Sequence, residues 1–299
     1  MLTQQKLKIA IQKKGRLNDD SLALLSRCGI KFHVASHSLI VRSENLPLDI
    51  LFVRDDDIPT LVMDGICDLG IVGENVLLEK EIYQQVNDDK TNFKLIKKLN
   101  FGLCRLSIAA PAENGYDDLT TLDGKRIATS YPGLLQKFLF DNNIDAEILT
   151  ISGSVEIAPK LGMADAICDL VSTGRTLEEN NLTEVAVITK SQAVLIRSNK
   201  EFSQEKLSTV ELLLRRICGV TTAQESKYIM FHAPKSALAV IKNIMPGFES
   251  PTIMNLDGLI DKVAVHVVSS EGVFWSTLEK LKQLGASSIL VLPIEKMLD

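Results

Sequence analysis

Ala166-Ile-Cys-Asp-Leu-Val-Ser-Thr-Gly-Arg-Thr-Leu177 reads as a buried strand that runs out into small hydroxyl residues around a glycine, where a helix begins. A strand feeding a helix through a tight turn is the repeating unit of an α/β domain with a largely parallel sheet. The same turn suits a phosphate. Amides left unpaired at a helix start point outward, the helix dipole favours an anion, and Ser172, Thr173 and Thr176 add hydroxyl donors. Gly174 lets the backbone come close to a ligand. An ordinary helix cap uses the same residue types, so this fragment alone leaves both readings open.

Upstream, Gly65-Ile-Cys-Asp-Leu-Gly-Ile-Val-Gly73 echoes Ala166-Ile-Cys-Asp-Leu-Val-Ser-Thr-Gly174, with Ile66 to Leu69 and Ile167 to Leu170 identical. The echo predicts two similar lobes, each with a helix leading into a buried strand and a glycine loop opening the next helix on a shared cleft. Lys6 to Gln12 reads as the first strand and Lys13 to Arg16 as a basic loop. Asn18 to Cys28 reads as a helix capped by Asn18 and stopped by Gly29. Leu48 to Val53 is a second strand, followed by Arg54 to Asp57 and a helix whose first turn suits Pro59. Arg105 to Ala110 and Lys125 to Thr129 are strands of the second lobe, and Ser130-Tyr-Pro-Gly precedes a helix over Leu134 to Asp141. Two strand-like runs within Val185 to Ile196 are expected to return the chain to the first lobe.

The tail changes syntax. Strand Lys227 to Ala233, helix Lys235 to Ile244, strands Thr252 to Leu256 and Lys262 to Ser269, helix Gly272 to Leu284 and strand Ser287 to Pro293 give the order βαββαβ, a ferredoxin-like arrangement. Val273, Phe274, Leu278 and Leu281 stand at helical spacing and read as core. The expected division is a first lobe over 1–100 with returning strands at about 184–202, and a second lobe over 101–183. A linker helix over 203–224 and a ferredoxin-like tail over 225–299 complete it.

With 299 residues, 45% hydrophobic and 24% charged, the chain has room for two or three packed domains. A net charge of -5 gives no global field for nucleic acid or an acidic membrane surface, so an anion site must be local. Without a secretory apolar segment or a run long enough to span a bilayer, the expectation is a cytoplasmic protein. Five single cysteines and four scattered histidines make neither a zinc-finger spacing nor a protein-built metal cage; a metal carried by a phosphorylated substrate stays possible.

Reading back from the glycine loop, Glu156, Gly162, Ala164, Ile167, Asp169, Leu170, Thr173, Gly174, Thr176 and Leu177 stand at a spacing that resembles the ATP phosphoribosyltransferase family, long form. The resemblance extends to Gly15-Arg-Leu17, Arg54 with Asp57-Ile-Pro59, Asp68-Leu-Gly-Ile-Val-Gly73, Cys104-Arg105, Ser130-Tyr-Pro132 and the tail. It implies a two-lobed, periplasmic-binding-protein-like catalytic unit with an ACT-type tail. It also implies a reaction in which N1 of the adenine of ATP attacks C1 of phosphoribosyl pyrophosphate and expels pyrophosphate, with Mg2+. On that resemblance Glu156, Asp169, Ser172, Thr173, Gly174, Arg175 and Thr176 would bind phosphoribosyl pyrophosphate, with Asp169 on the ribose hydroxyls. Lys14, Gly15, Arg16, Arg54, Asp57 and Gly73 would line the ATP side, and Arg16 and Asp169 would be catalytic. His232, Ser287 and Ser288 would hold histidine as a feedback inhibitor, and the chain would assemble with itself as a dimer and hexamer.

Acidic residues before a helix also stabilise its N-terminus, so the run Asp55-Asp-Asp57 is not assigned to magnesium. ATP as nucleophile fits the absence of both Gly-x-x-x-x-Gly-Lys-Ser/Thr and Gly-x-Gly-x-x-Gly. Arg105, entering a strand, could equally pair with a neighbouring carboxylate. A prephenate dehydratase also joins two lobes to an ACT module, but its Thr-Arg-Phe motif is missing here. A non-catalytic small-molecule binding protein is the alternative of a different class.

Overall fold

The first sheet is nucleated by apolar runs that read as strands. In the computed structural model, which describes residues 6–35, 38–86, 92–114, 118–245, 247, 250–270 and 274–298, they are β1 (Leu7–Gln12), β3 (Leu48–Val53) and β4 (Leu69–Gly73). The chain divides into two compact units, Met1–Thr209 and Val210–Asp299. In the first, β1 runs parallel to both β3 and β4, and β2 (Ile40–Arg42) adds antiparallel to β3. Strand β5 (Phe93–Lys98) and the later β11 (Ala193–Ser198) complete the order β2-β3-β1-β4-β11-β5. Helices α1 (Arg16–Arg27), α2 (Ile58–Met63) and α3 (Glu74–Val86) follow β1, β3 and β4.

The second sheet has the order β10-β6-β9-β7-β8. Its strands are β6 (Cys104–Pro111), β7 (Arg126–Thr129), β8 (Glu147–Thr150), β9 (Ala166–Val171) and β10 (Leu182–Ser191). β7 runs parallel to β8 and β9, whereas β6 is antiparallel to β9 and β10. Helix α4 (Pro132–Asp141) follows β7 and α5 (Arg175–Glu179) follows β9. The two lobes are joined by the passages from β5 to β6 and from β10 to β11, and Ala193 N donates to Phe101 O across those passages at 2.8 Å.

Three expectations need correction. Asn18 is not the cap of α1: Gly15 holds the N-cap position with φ 100, and the Asn18 amide donates to the Gln12 carbonyl at 2.6 Å, tying the helix back to β1. The return to the first sheet comes at Gln192 rather than near residue 184, because β10 pairs along its length with β6 and stays in the second lobe. The repeated tetrapeptide has two conformations. Ile167–Leu170 lies within β9, whereas residues 66–68 form the turn before β4, so Ile167 is buried and Ile66 is half exposed. β4 then runs straight through Gly73 into α3, while β9 stops at Val171 and leaves residues 172–174 as a loop.

Helix α6 (Gln204–Gln224) crosses from the first unit into the second. Its first turn is fixed by Lys206, whose ammonium meets both oxygens of the buried Asp68 at 2.8 and 2.9 Å. The second unit holds β12 (Ser226–Pro234), α7 (Leu238–Ile244), β13 (Thr252–Leu256), β14 (Leu259–Ser270), α8 (Phe274–Gln283) and β15 (Ser287–Pro293). Its sheet order, β13-β14-β12-β15, is that of a ferredoxin-like fold. Ile229, Phe231, Val263, Val265 and Leu281 form its core, so the helices cover one face of the sheet. The expected helix start at Gly272 and Val273 lies outside the described residues. Among the described residues no helix is long and apolar enough to cross a membrane.

Candidate active site

Parallel strands place their carboxyl-end loops along one edge of a sheet, where α/β proteins bind ligands. Here β1, β3 and β4 end at Gln12, Val53 and Gly73, and β7, β8 and β9 end at Thr129, Thr150 and Val171. The two sets of loops face each other. Arg16, the first residue of α1, donates from Nη1 to the Ser172 hydroxyl at 2.8 Å across the cleft. On the other side of the cleft, Arg54 and Asp56 from the first lobe and Ser130, Tyr131 and Thr150 to Gly153 from the second line a cavity of about 530 Å³.

The loop after β9 keeps the form its residues suggest. Ser172 and Thr173 are exposed, and Gly174 has φ 88 with nothing near the position of a Cβ, a left-handed residue that only glycine adopts without strain. The helix it opens is five residues long, so the loop amides and hydroxyls, rather than a long helix dipole, are what it offers an anion. Arg175 turns along that helix to Glu179 at 2.8 Å and is exposed, and Thr176 is exposed beside it.

Asp169, two residues before the end of β9, accepts the Leu170 amide at 2.7 Å. Burial raises its pKa above the usual carboxylate range, the Leu170 N–H works against that, and the nearby Glu156 adds to it. Glu156 sits in a 3-10 turn, Val155–Ile157, behind Ser154 at φ 50. The Tyr131 hydroxyl is pushed well up, first by burial and then by the charges of Asp55 and Asp169, and so stays protonated. Asp55 is itself raised by burial and by Asp56.

On the first lobe's rim, Arg54 pairs with Asp56 at 3.0 Å, and Lys14 and Asp57 are exposed. A Cβ on Gly73 would stand 2.5 Å from Asn75 Oδ1, so this glycine makes room for a side chain of α3. Arg105 pairs with Glu184 at 2.8 Å and reaches the Ser172 carbonyl at 3.3 Å, so its carboxylate partner is on the neighbouring strand. In the tail, His232 and Ser287 are cross-strand partners, and Ser288, at φ 52, sits in the bulge beside them.

Residue patterns did not point to Asn75, Glu79 and Ser191. Asn75 and Glu79 lie one turn apart on α3 and meet residues more than 50 positions away. Their only local signal is the i, i+4 spacing of two polar side chains on a helix that also presents Leu78 and Ile82.

Two family models cover most of the chain. The one described as "HisG: ATP phosphoribosyltransferase" matches residues 54–219, and "HisG, C-terminal domain" matches residues 223–296. The chain belongs to the ATP phosphoribosyltransferase family. A solved structure described as "ATP phosphoribosyl transferase (HisG:HisZ) complex from Thermotoga maritima" is 30% identical with TM-score 0.57, over 71% of this chain and 98% of that one. The present chain is therefore the longer of the two, and its C-terminal match marks it as the long form. The alkanesulfonate-binding protein SsuA from Xanthomonas axonopodis pv. citri, bound to MOPS, is 16% identical over 71% of this chain and 73% of its own, TM-score 0.46.

The enzyme joins N1 of the adenine of ATP to C1 of phosphoribosyl pyrophosphate, giving N1-(5-phosphoribosyl)-ATP and pyrophosphate, the first step of histidine biosynthesis. Members of the family need a divalent metal. Among the described residues, no group of three or more His, Cys, Asp or Glu side chains is gathered as a ligand set.

Proposed function

We propose that this cleft carries out the transfer with phosphoribosyl pyrophosphate held on the second lobe and ATP on the first. Ser172, Thr173, Gly174, Arg175 and Thr176 take the 5-phosphate, Asp169 takes the ribose hydroxyls through charge-assisted hydrogen bonds, and Glu156 stands beside it. Lys14, Gly15, Arg16, Arg54, Asp57 and Gly73 form the ATP side. Arg16 and Arg54 bring positive charge to the place where the leaving pyrophosphate gains negative charge. The metal would be Mg2+, carried by phosphate oxygens of the substrates. Most of the rate comes from holding two anions face to face, whose orientational share can reach ~7–11 kcal/mol.

The observation that supports this best is Arg16 of one lobe reaching Ser172 of the other at 2.8 Å, so that a cation of the first lobe touches the phosphate loop of the second. Arg16→Ala and Thr173→Ala are each expected to cut the rate of phosphoribosyl-ATP formation while leaving the thermal transition cooperative. Thr173→Ala should also weaken phosphoribosyl pyrophosphate in calorimetry. Near-normal rates from either purified variant would remove these assignments.

The same reading gives the tail a feedback role, with histidine held near His232, Ser287 and Ser288, which the sheet register groups together. It also gives self-assembly, as dimer and hexamer. Met254, Leu290 and Leu292, about half exposed, share the sheet face opposite the helices and offer apolar surface for it. Substrates drawn from central metabolism place the enzyme in the cytoplasm. Repeating the rate assay with added histidine tests the regulatory part.

A further inference from the structure

Helix α3 belongs to the first lobe by sequence, yet one of its faces is committed to the second. Leu78 and Ile82 pack against the second lobe's core around Leu134, Leu135 and Phe138. Between them on the same helix, the Glu79 carboxylate accepts from the Gly133 amide at 2.6 Å and the Leu134 amide at 2.8 Å, the first free donors of α4. One turn before it stands Asn75, which is buried. Its amide N–H donates to the Ser191 hydroxyl at 3.0 Å, that hydroxyl donates to Asn75 Oδ1 at 2.7 Å, and Asn75 Nδ2 donates to the Tyr131 hydroxyl at 3.0 Å.

Ser191 is the last residue of β10, next to the passage between lobes, so Asn75 holds the joint itself while Glu79 holds the two helices at a distance from it. Glu79 and Tyr131 also line the cavity between the lobes. The loop that takes the 5-phosphate lies wholly in the second lobe, and Arg16 and Arg54 lie in the first. Any opening about Ser191 and Gln192 therefore separates the two substrates and draws Arg16 away from Ser172, while the loop of residues 172–176 stays intact within its own lobe.

We propose that Asn75 and Glu79 are positioning residues for the transfer: they latch α3 to the start of α4 and fix the aperture at which the two bound substrates meet. This rests on the cleft being the active site, as argued above. The latch can be loosened from either lobe. Glu79→Ala removes the carboxylate. Gly133→Ala places a Cβ 2.9 Å from Glu79 Oε1 and 3.1 Å from Ile82 Cγ2, in a helical turn that otherwise tolerates alanine.

Three quantities are measured on the full chain for both variants and for Glu79→Gln. They are kcat, the calorimetric affinity for phosphoribosyl pyrophosphate with magnesium, and hydrogen exchange of the segment 132–141. Both loosened variants should lose about tenfold or more in kcat, since small misplacements of reacting groups cost that much or more. Exchange at the start of α4 should quicken, and phosphoribosyl pyrophosphate affinity should fall far less than kcat, because Asp169 and residues 172–176, which carry most of that ligand's contacts, stay together on one lobe. Glu79→Gln, keeping one acceptor, should fall between. Wild-type kcat in either variant with faster exchange at α4 overturns the proposal. So does a loss of kcat matched by an equal loss of phosphoribosyl pyrophosphate affinity. Should Glu79→Ala fail to fold, Gly133→Ala decides alone. An unweakened Thr173→Ala would instead remove the cleft assignment, which separates the two failures.

Discussion

Asp169→Asn separates stability from catalysis with opposite signs. Asp169 is partly withdrawn from water beside Glu156, and burial followed by that neighbour raises its pKa above the ordinary 3.8. A carboxyl whose folded pKa is raised holds its proton more tightly in the folded state than in the unfolded one. Its contribution to stability is therefore full below the unfolded value and is lost as pH rises through the raised folded value. At neutral pH the native anion is thus a penalty on the ligand-free fold. Asparagine removes the charge and keeps an oxygen for the Leu170 N–H, now received at 2.7 Å. The melting temperature of Asp169→Asn should equal or exceed the wild-type value at pH 7, and the difference should close as pH falls below the carboxylate range. Catalysis should move the other way. Hydrogen bonds to a charged group contribute ~1.5–3 kcal/mol each, and an amide oxygen restores only part of two such bonds to the ribose hydroxyls. A net loss of about 2–3 kcal/mol is about 30- to 150-fold in kcat/KM. Thermal melts over a pH series and initial rates at varied phosphoribosyl pyrophosphate test both halves. A clear fall in melting temperature at neutral pH, or a kcat/KM within a few-fold of wild type, would refute the reasoning.

Lys206→Met strands the Asp68 carboxylate, 8% exposed, and should destabilise the first unit by about 3 kcal/mol, at the low end for a broken buried pair because the Lys8 amide still donates to it. Urea midpoints should drop accordingly and recover in part when Asp68→Asn is added; an unshifted midpoint in Lys206→Met contradicts the pairing. Gly174→Ala meets no atom, so its effect on stability should stay near the ~1–2 kcal/mol of a left-handed alanine, while phosphoribosyl pyrophosphate affinity falls with the distorted loop. Calorimetry and a thermal melt check the pair, and an unchanged affinity counts against the loop.

What could be read from the residues follows how apolar each strand is, which depends in part on where it lies in its sheet. Leu48–Val53, Thr252–Leu256 and Ser287–Pro293 matched residue for residue, and β1, β6 and β7 nearly so, because apolar runs bounded by turn residues carry the signal. The strands that escaped, β2, β5 and β8, are all edge strands. Edges need only one covered side and resist pairing with other chains by carrying charge, as Phe93-Lys-Leu-Ile-Lys-Lys98 does with three lysines, so the period that marks a buried strand is diluted there. The tail's edges, β13 and β15, stayed legible because Thr252–Leu256 and Ser287–Pro293 carry no charge. Strand β10, the other edge of the second sheet, was legible as a strand but not as to its sheet, since partner choice depends on β6 some 75 positions upstream. The site divides on the same line. The loop proposed for the 5-phosphate stands out in the sequence because its chemistry is contiguous, hydroxyls and glycine within five residues of one turn. Asn75, Glu79 and Ser191 were not, because their partners lie 54 to 116 positions away and neither polar residue on α3 breaks the helical pattern around it.

The duplicated Ile-Cys-Asp-Leu makes the limit sharpest. Four identical residues place Asp169 near a strand end in the cleft and Asp68 in a turn under the ammonium of Lys206. The difference arises because β4 begins where β9 is about to end, and that offset is set by pairing. Ile9 lies opposite Leu69 in one sheet, while Ala109 lies opposite Ile167 in the other. A local motif therefore fixes which side chains are available, and strand register decides whether the same carboxylate faces the cleft or a salt bridge.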